Sequence, residues 1–314
     1  MILTVCANPA LDVTYRVPAL TTGSEHRVPA PVVRAGGKAV NVAAALHTMG
    51  RDPVVVAPYG GPEGAVLAAD LTARGLEHRL VPVPGAVRRT VTIVDDAGAA
   101  TALNERGTPL PAAGWARVTA VVRTALPAAA ALVLSGSLPP GLPDDAWAPL
   151  VAAGRAAGVP VVLDAAGPAL LAGIAAGPDL VKPNARELRE ATGDDDVVSA
   201  ARQLVARGAA GVLASLGPDG MVLVDGPTGE PLTCRPPAGS TVRNPTGAGD
   251  AAVAAAACAL AEGAGRAVLL YRAVAWSVAA VAEPRAGELD PHTVRRTESA
   301  LGRPPAPEPT GTDS

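Results

Sequence analysis

The sequence predicts an α/β fold in which a mostly parallel sheet is covered by helices on both faces. Three observations predict it. Short β-type runs alternate with helical stretches along most of the 314 residues. The chain is 49% hydrophobic, enough to bury a large core. Glycines stand just past the ends of the helical stretches, where a left-handed residue closes a helix. Strands are expected near residues 2–7, 54–58, 132–135, 159–164, 180–182 and 211–215. Helices are expected over 40–49, 64–74, 144–157, 185–191, 197–206 and 248–261, with Gly50, Gly75, Gly158 and Gly208 as C-terminal caps. In such a sheet ligands bind beyond the carboxyl ends of the strands.

Two regions, 13–34 and 88–103, break the alternation. The second, with Asp95, Asp96, Ala97 and Gly98 at its centre, reads as a β-hairpin. A flap over a site and an edge extension of the main sheet fit both regions equally. Residues 1–301 are expected to form one domain. The Pro-rich, polar segment 302–314 is expected to be a disordered tail.

Lys and Arg total 26 against 29 Asp and Glu, a formal charge of −3, so nothing draws the chain toward nucleic acid or an anionic membrane. Cys6, Cys234 and Cys258 are far apart and lack metal-ligand spacing, which argues against a disulfide framework or a zinc site. The start MILTVCANPALD lacks the basic region of a secretory signal, and the longest apolar run, 251–261, is too short to span a bilayer. A soluble, cytoplasmic protein is the expectation, with a homodimer left open.

With no Phe and 2% aromatic residues, the core must be built from small aliphatic side chains, and scarce residue types become informative. There are two lysines, Lys38 and Lys182, and five asparagines, Asn8, Asn41, Asn104, Asn184 and Asn244. Where Arg supplies most positive charge, a Lys marks a place that needs a compact ammonium.

Five motifs carry chemistry. In NPTGAGDAAVAAAACAL, 244–260, a Gly-rich turn opens into an apolar helix, so the amides of Gly247, Ala248, Gly249 and Asp250 can hold a phosphate at the positive end of the helix dipole. Asp250 can take a proton from a hydroxyl there, although a carboxylate complementing the dipole is a common structural feature. RAGGKAVNVAAAL, from Arg34, places Lys38 and Asn41 on a second such helix start, where Lys38 is either a point charge for phosphate or a solvated lysine. Asp12 of NPALD, taken as the end of the first strand, suits sugar hydroxyls or a plain turn after Pro9. In LVKPNARELRE, Asn184 and Glu187 have the spacing of a capping box and equally that of a pair holding the waters of a magnesium ion. SLGPDGMVLV, 215–224, is a strand, Gly turn and strand that can line a nucleotide or be an ordinary hairpin. No Walker A loop or G-x-G-x-x-G follows a strand, so phosphoryl transfer needs another architecture.

The set NPALD, GGKAVNVA, SGSLPPG, LDAAGPAL, KPNARE, SLGPDG and GAGD, in this order over residues 8–250, resembles the ribokinase-like (PfkB) sugar kinases, in the branch of 1-phosphofructokinases and tagatose-6-phosphate kinases. The resemblance implies a three-layer α/β/α sandwich with a small β-lid, ATP and Mg2+, and Asp250 as catalytic base with Gly247, Ala248 and Gly249 as anion hole. It implies that Asp12, Gly36, Gly37, Asn41, Asn104 and Ser137 lie at the sugar. Lys38 and Arg88, with Arg27 as a third candidate, fall where this branch holds the substrate's existing phosphate. Lys182, Asn184, Glu187, Ser215, Gly217 and Gly220 fall in the ATP region, with Asn184 and Glu187 reaching the metal through water. The sequence departs from the family at Pro245, Ala251 and Thr90, where Thr or Ser, Ser, and Asn are frequent. The implied reaction is ATP-dependent phosphorylation of a phosphorylated ketohexose, fructose 1-phosphate first, with tagatose 6-phosphate and fructose 6-phosphate as rivals. A non-catalytic phosphosugar-binding module is the reading from another class.

Overall fold

The computed structural model describes residues 1–226, 228–244, 246–283 and 287–302. The expected tail and Pro245 therefore lie outside the described residues, Gly302 excepted. In chain order the first half runs β1 (Ile2–Val5), β2 (Ala10–Val17), β3 (Val32–Gly36), α1 (Lys38–Thr48), β4 (Pro53–Tyr59), α2 (Gly61–Ala73), β5 (Glu77–Pro82), β6 (Arg88–Asp95), β7 (Ala100–Asn104) and α3 (Ala112–Ala125). The second half runs β8 (Ala131–Ser135), α4 (Ala148–Ala156), β9 (Val161–Asp164), α5 (Gly167–Ile174), β10 (Leu180–Val181), α6 (Ala185–Thr192), α7 (Val197–Ala206), β11 (Gly211–Ser215), β12 (Met221–Asp225), β13 (Leu232–Cys234), α8 (Ala248–Ala261), α9 (Arg266–Ala282) and α10 (Pro291–Leu301).

Nine strands form the main sheet in the order β13-β12-β11-β10-β9-β8-β1-β4-β5. From β11 to β5 every neighbouring pair is parallel; β12 and β13 turn back antiparallel. Side-chain alternation shows how both faces are covered. Leu132 and Leu134 of β8 join Leu150, Leu170, Leu188 and Leu204 of the α4–α7 layer, while Ala131 and Val133 join Leu46 of α1 and the residues of α8 and α9. Three layers result.

The four remaining strands form a second sheet, β3-β2-β6-β7. β6 and β7 are the expected hairpin, closed by Gly98 N–H donating to the Asp95 carbonyl at 3.0 Å. Of the two readings open for regions 13–34 and 88–103, the edge extension fails, because these strands pair with one another and not with the main sheet. Asp12 does not end the first strand. The chain leaves β1 after Val5, turns through Asn8-Pro9 and re-enters extended structure in the second sheet, where Asp12 pairs with Arg34 on one side and Thr90 on the other.

Gly50, Gly75, Gly158 and Gly208 follow their helices with φ of +70°, +67°, +68° and +129°. The stretch expected as one helix over 144–157 is a 3-10 turn, Asp144–Trp147, followed by α4. Pro149, at the second position of α4, has no N–H to continue a hydrogen-bond ladder from the preceding turn. The unforeseen helices α3, α5, α9 and α10 complete the layers. In α8 the ten residues Asp250 to Ala259 are all buried, so this helix runs through the core with alanine on every side. Small side chains let α1, α9 and the sheet close around it.

Candidate active site

A cleft of about 2080 Å³ opens where the carboxyl ends of β1, β8, β9, β10 and β11 meet the second sheet and the N-terminus of α8. It collects sixteen of the site residues expected from sequence besides Asp250: Asp12, Gly37, Lys38, Asn41, Arg88, Asn104, Ser137, Lys182, Asn184, Glu187, Ser215, Gly217, Gly220, Gly247, Ala248 and Gly249. Gly36 stands behind the lining. A β-carbon there would collide with the Asp12 carboxylate, so the glycine makes room for that side chain. Arg27, the third phosphate candidate, is not among the lining residues; its side chain is solvent-exposed and paired with Glu25.

At the inner end, Gly247 caps α8 with φ +95°, and no side chain caps the helix, so its first amides stay available to an anion. Ser277 of α9 donates to the Ala248 carbonyl at 2.8 Å, and the Asn244 side chain accepts from Thr246 N–H at 2.9 Å, which together brace the turn. Asp250 lies in the first helical turn, buried, with Oδ2 accepting from Asn41 Nδ2 at 2.9 Å. Burial and the negative charge of Asp164 push its carboxyl up to about 6, against the opposing pull of Lys38, the Asn41 hydrogen bond and Lys182.

Asp164, the last residue of β9, was not singled out from sequence. Its side chain is fully buried, bonded to Ser135 Oγ at 2.9 Å and to Lys38 Nζ at 3.3 Å, with Lys182 Nζ at 3.9 Å. Burial opposes its ionisation, yet the two ammonium groups and the Ser135 hydroxyl outweigh it and hold this carboxyl below the usual aspartate value. Lys38 is accordingly neither a free solvated lysine nor an unengaged cation; its Asp164 partner pushes its ammonium further into the charged form.

The outer end is built on the second sheet. Asp12 is pushed up to about 6 by burial, against Arg88, a Thr90 hydrogen bond and Arg74. Arg88 donates through Nε to the Asn8 carbonyl at 3.2 Å and through one terminal nitrogen to the Glu105 carbonyl at 3.2 Å and Thr90 Oγ1 at 3.4 Å. Asn8, also missed as a site residue, donates from Nδ2 to the Arg106 carbonyl at 3.0 Å and Ser137 Oγ at 3.2 Å, joining the exits of β7 and β8. Asn104 is exposed on β7 opposite Thr90.

Asn184 and Glu187 do form the capping box: Oδ1 of Asn184 accepts from Glu187 N–H, and Oε2 of Glu187 accepts from Asn184 N–H, each at 2.9 Å. Ser215 ends β11 and bridges to Asn184, while Gly217 and Gly220, at φ +62° and +91°, shape the turn into β12. Pro236, Pro237, Val242, Val274, Val278 and Val281 add an apolar wall that the sequence did not point to, because it comes from a loop and a helix brought in from 236 onward.

An α/β/α body whose strand ends and uncapped helix mouth enclose one polar cleft is the architecture of a small-molecule kinase. The chain belongs to the pfkB family carbohydrate kinases, whose profile matches residues 5–293. It is 40% identical over 301 residues to a 1-phosphofructokinase of Rhodobacter capsulatus, covering 93% of this chain and 92% of the relative. It is 33% identical over 272 residues to an ATP-dependent 6-phosphofructokinase isozyme 2 of Mycobacterium tuberculosis, covering 83% and 78%. Phosphofructokinase-2 from Escherichia coli, solved in complex with potassium, superposes with a TM-score of 0.90 at 29% identity over 96% of this chain and 99% of that one. Among the described residues no helix is long and apolar enough to cross a membrane.

Proposed function

We infer that the protein transfers the terminal phosphoryl group of ATP to the 6-hydroxyl of fructose 1-phosphate. The observation that carries this reading is the pairing, in one cleft, of a buried carboxylate at an uncapped helix mouth with a separate carboxylate and arginine on the second sheet. The first is suited to a reacting hydroxyl and a migrating phosphate, the second to sugar hydroxyls and a phosphate already in place. The identity to a 1-phosphofructokinase supports the sugar. The second sheet serves as a lid.

Asn41 occupies Oδ2 of Asp250 and fixes the carboxylate, leaving Oδ1 to accept the proton of the attacking hydroxyl. The amides of Gly247, Ala248 and Gly249 point at the charge that develops on the transferred group, where preorganised donors stabilise the transition state most. Asp12 accepts from sugar hydroxyls and Arg88 meets the phosphate the sugar carries. Among the described residues no three acidic, His or Cys side chains are grouped to cage a metal. The capping box takes Oε2 of Glu187 and leaves Oε1, and it takes one lone pair of the single Asn184 side-chain oxygen and leaves the other, so both residues could meet a hydrated ion through water. An ion held there would neutralise nucleotide phosphate charge.

Because Asp250 must be ionised to accept a proton, turnover is expected to fall as pH drops through about 6. A pH profile of kcat/KM, which reports groups of the free enzyme, measures this; a flat profile between pH 5 and pH 7.5, a range of roughly one unit or more on either side of the limb, contradicts it.

The test of the reaction is ADP release on fructose 1-phosphate, fructose 6-phosphate, tagatose 6-phosphate and unphosphorylated fructose. The expected result is the highest kcat/KM on fructose 1-phosphate and about 10²-fold less on fructose, the scale of a lost charge-assisted contact. Preference for a 6-phosphate selects the second reading, which the 6-phosphofructokinase relative favours. Sugar-phosphate binding without ADP release rejects both in favour of a binding module.

A further inference from the structure

Two ammonium groups, one on and one beside the first turn of a helix, converge on Asp164, a fully buried carboxylate to which the mechanism so far gives no part. Its Oδ1 and Oδ2 each lie 3.3 Å from Lys38 Nζ, Oδ2 accepts from Ser135 Oγ, and Lys182 Nζ stands 3.9 Å from Oδ1. Lys38 is the first residue of α1, whose first turn holds no acidic residue. The Lys182 ammonium rests against Gly249 in the first turn of α8, so close that a β-carbon on Gly249 would stand 3.2 Å from it. A cation at the positive end of a helix opposes the dipole, and here this happens twice. Both ammonium groups act electrostatically on Asp250 as well as on Asp164, so they join the buried carboxylate to the mouth of α8. Such an arrangement suits a multiply charged anion arriving between them.

The cations of the cleft also divide between its ends. Arg88 is tied to Asn8, Glu105 and Thr90, and with Arg74 acts on Asp12. Lys38 is tied to Asp164, and feels Asp250 and Glu187. Lys38 and Arg88, which the resemblance grouped at one phosphate, therefore have different partners within the cleft.

We propose that Asp164 is a positioning residue for phosphoryl transfer: it holds the Lys38 and Lys182 ammonium groups at the mouth of α8, so that Lys38 meets the phosphoryl group in transit and not the phosphate the sugar brings. This rests on the kinase reading above. Asp164 is held in its charged form by the two lysines and the Ser135 hydroxyl. Its neutral Ser135-bonded replacement, Asp164→Asn, retains shape while releasing both lysines.

The test compares the wild-type protein, Lys38→Met, Asp164→Asn and the double variant in turnover of ATP and fructose 1-phosphate, and in equilibrium dialysis of fructose 1-phosphate alone. Lys38→Met is expected to lose about 10²-fold in kcat, as for removal of one transition-state donor, while its Kd for fructose 1-phosphate stays within about threefold of wild type. Asp164→Asn is expected to lose roughly tenfold in kcat with the same unchanged Kd, and the double variant to lose less than the product of the two. A Lys38→Met variant that keeps its kcat and binds fructose 1-phosphate tenfold or more weakly, by about the size of a lost ion pair, overturns the proposal and leaves the kinase reading intact. So do fully multiplicative losses in the double variant. Absence of wild-type turnover on any phosphosugar removes the kinase reading and the proposal together. If Asp164→Asn does not fold, the Lys38→Met split between kcat and Kd decides alone.

Discussion

Asp250→Asn is expected to lower kcat on fructose 1-phosphate by about 10²-fold or more, the range of a general base, while leaving ATP and sugar-phosphate affinities close to wild type. The substitution keeps the shape of the side chain and an oxygen to accept from Asn41, so positioning survives and proton acceptance does not. Stability separates this from a structural role. The folded carboxyl is raised from 3.8 to about 6, so the native state binds the extra proton, and stability falls as pH rises between those values. At pH 7 the ionised, buried group therefore opposes folding, and Asn removes that opposition. Thermal unfolding at pH 7 should give a Tm at or above that of the wild type. Retained kcat excludes Asp250 as the base; a large drop in Tm makes its role structural.

Arg88→Ala is expected to raise the Kd for fructose 1-phosphate by about 10–10²-fold, the scale of a charged hydrogen bond, with much less effect on ATP. Arg88 also ties the Asn8 and Glu105 carbonyls together, so the loss has a structural share. Arg88→Lys separates the two: it keeps a charge but not the guanidinium fork that spans both carbonyls. Partial recovery of sugar-phosphate binding in Arg88→Lys, with unphosphorylated fructose indifferent to either change, is the expected pattern. Equal weakening of ATP and sugar phosphate in Arg88→Ala contradicts the assignment.

How much of this was legible in the sequence depended on whether a signal was local. The helices α7 and α8 were bounded at Val197, Ala206, Ala248 and Ala261, because an Asp cap, a Gly turn and a closing Gly mark their ends in the chain itself. The capping box of Asn184 and Glu187 was equally visible, since it needs three residues and no partner from elsewhere. By contrast α9 has buried residues on nearly consecutive positions from Ala273 to Ala280, and a helix buried on all sides lacks the periodic stripe that announces one. Asp12 was placed on the wrong strand because Asn8-Pro9 reads as a strand end, while the return into a second sheet depends on pairing with β3 and β6, far along the chain.

The site followed the same rule. Asp250 and the glycines before it lie within one turn, so the chemistry proposed for them can be read from adjacent residues. Asp164 ends an apolar strand and means nothing by itself; its partners are Lys38, 126 residues earlier, and Lys182 beyond the next helix. Asn8 likewise acts through Arg106 and Ser137. The scarcity of lysine did point to two residues that share one buried carboxylate, whereas the resemblance implied the sugar's phosphate for Lys38 and the contact with Asp164 underlies the other assignment proposed above.

The most direct measurement is a structure of the protein with a non-hydrolysable ATP analogue and fructose 1-phosphate. The terminal phosphate should rest on the amides of Gly247 to Gly249, with the 6-hydroxyl within about 3 Å of an Asp250 carboxylate oxygen and the sugar's own phosphate on Arg88. A terminal phosphate held away from the α8 mouth, or a sugar hydroxyl out of reach of Asp250, would contradict the account.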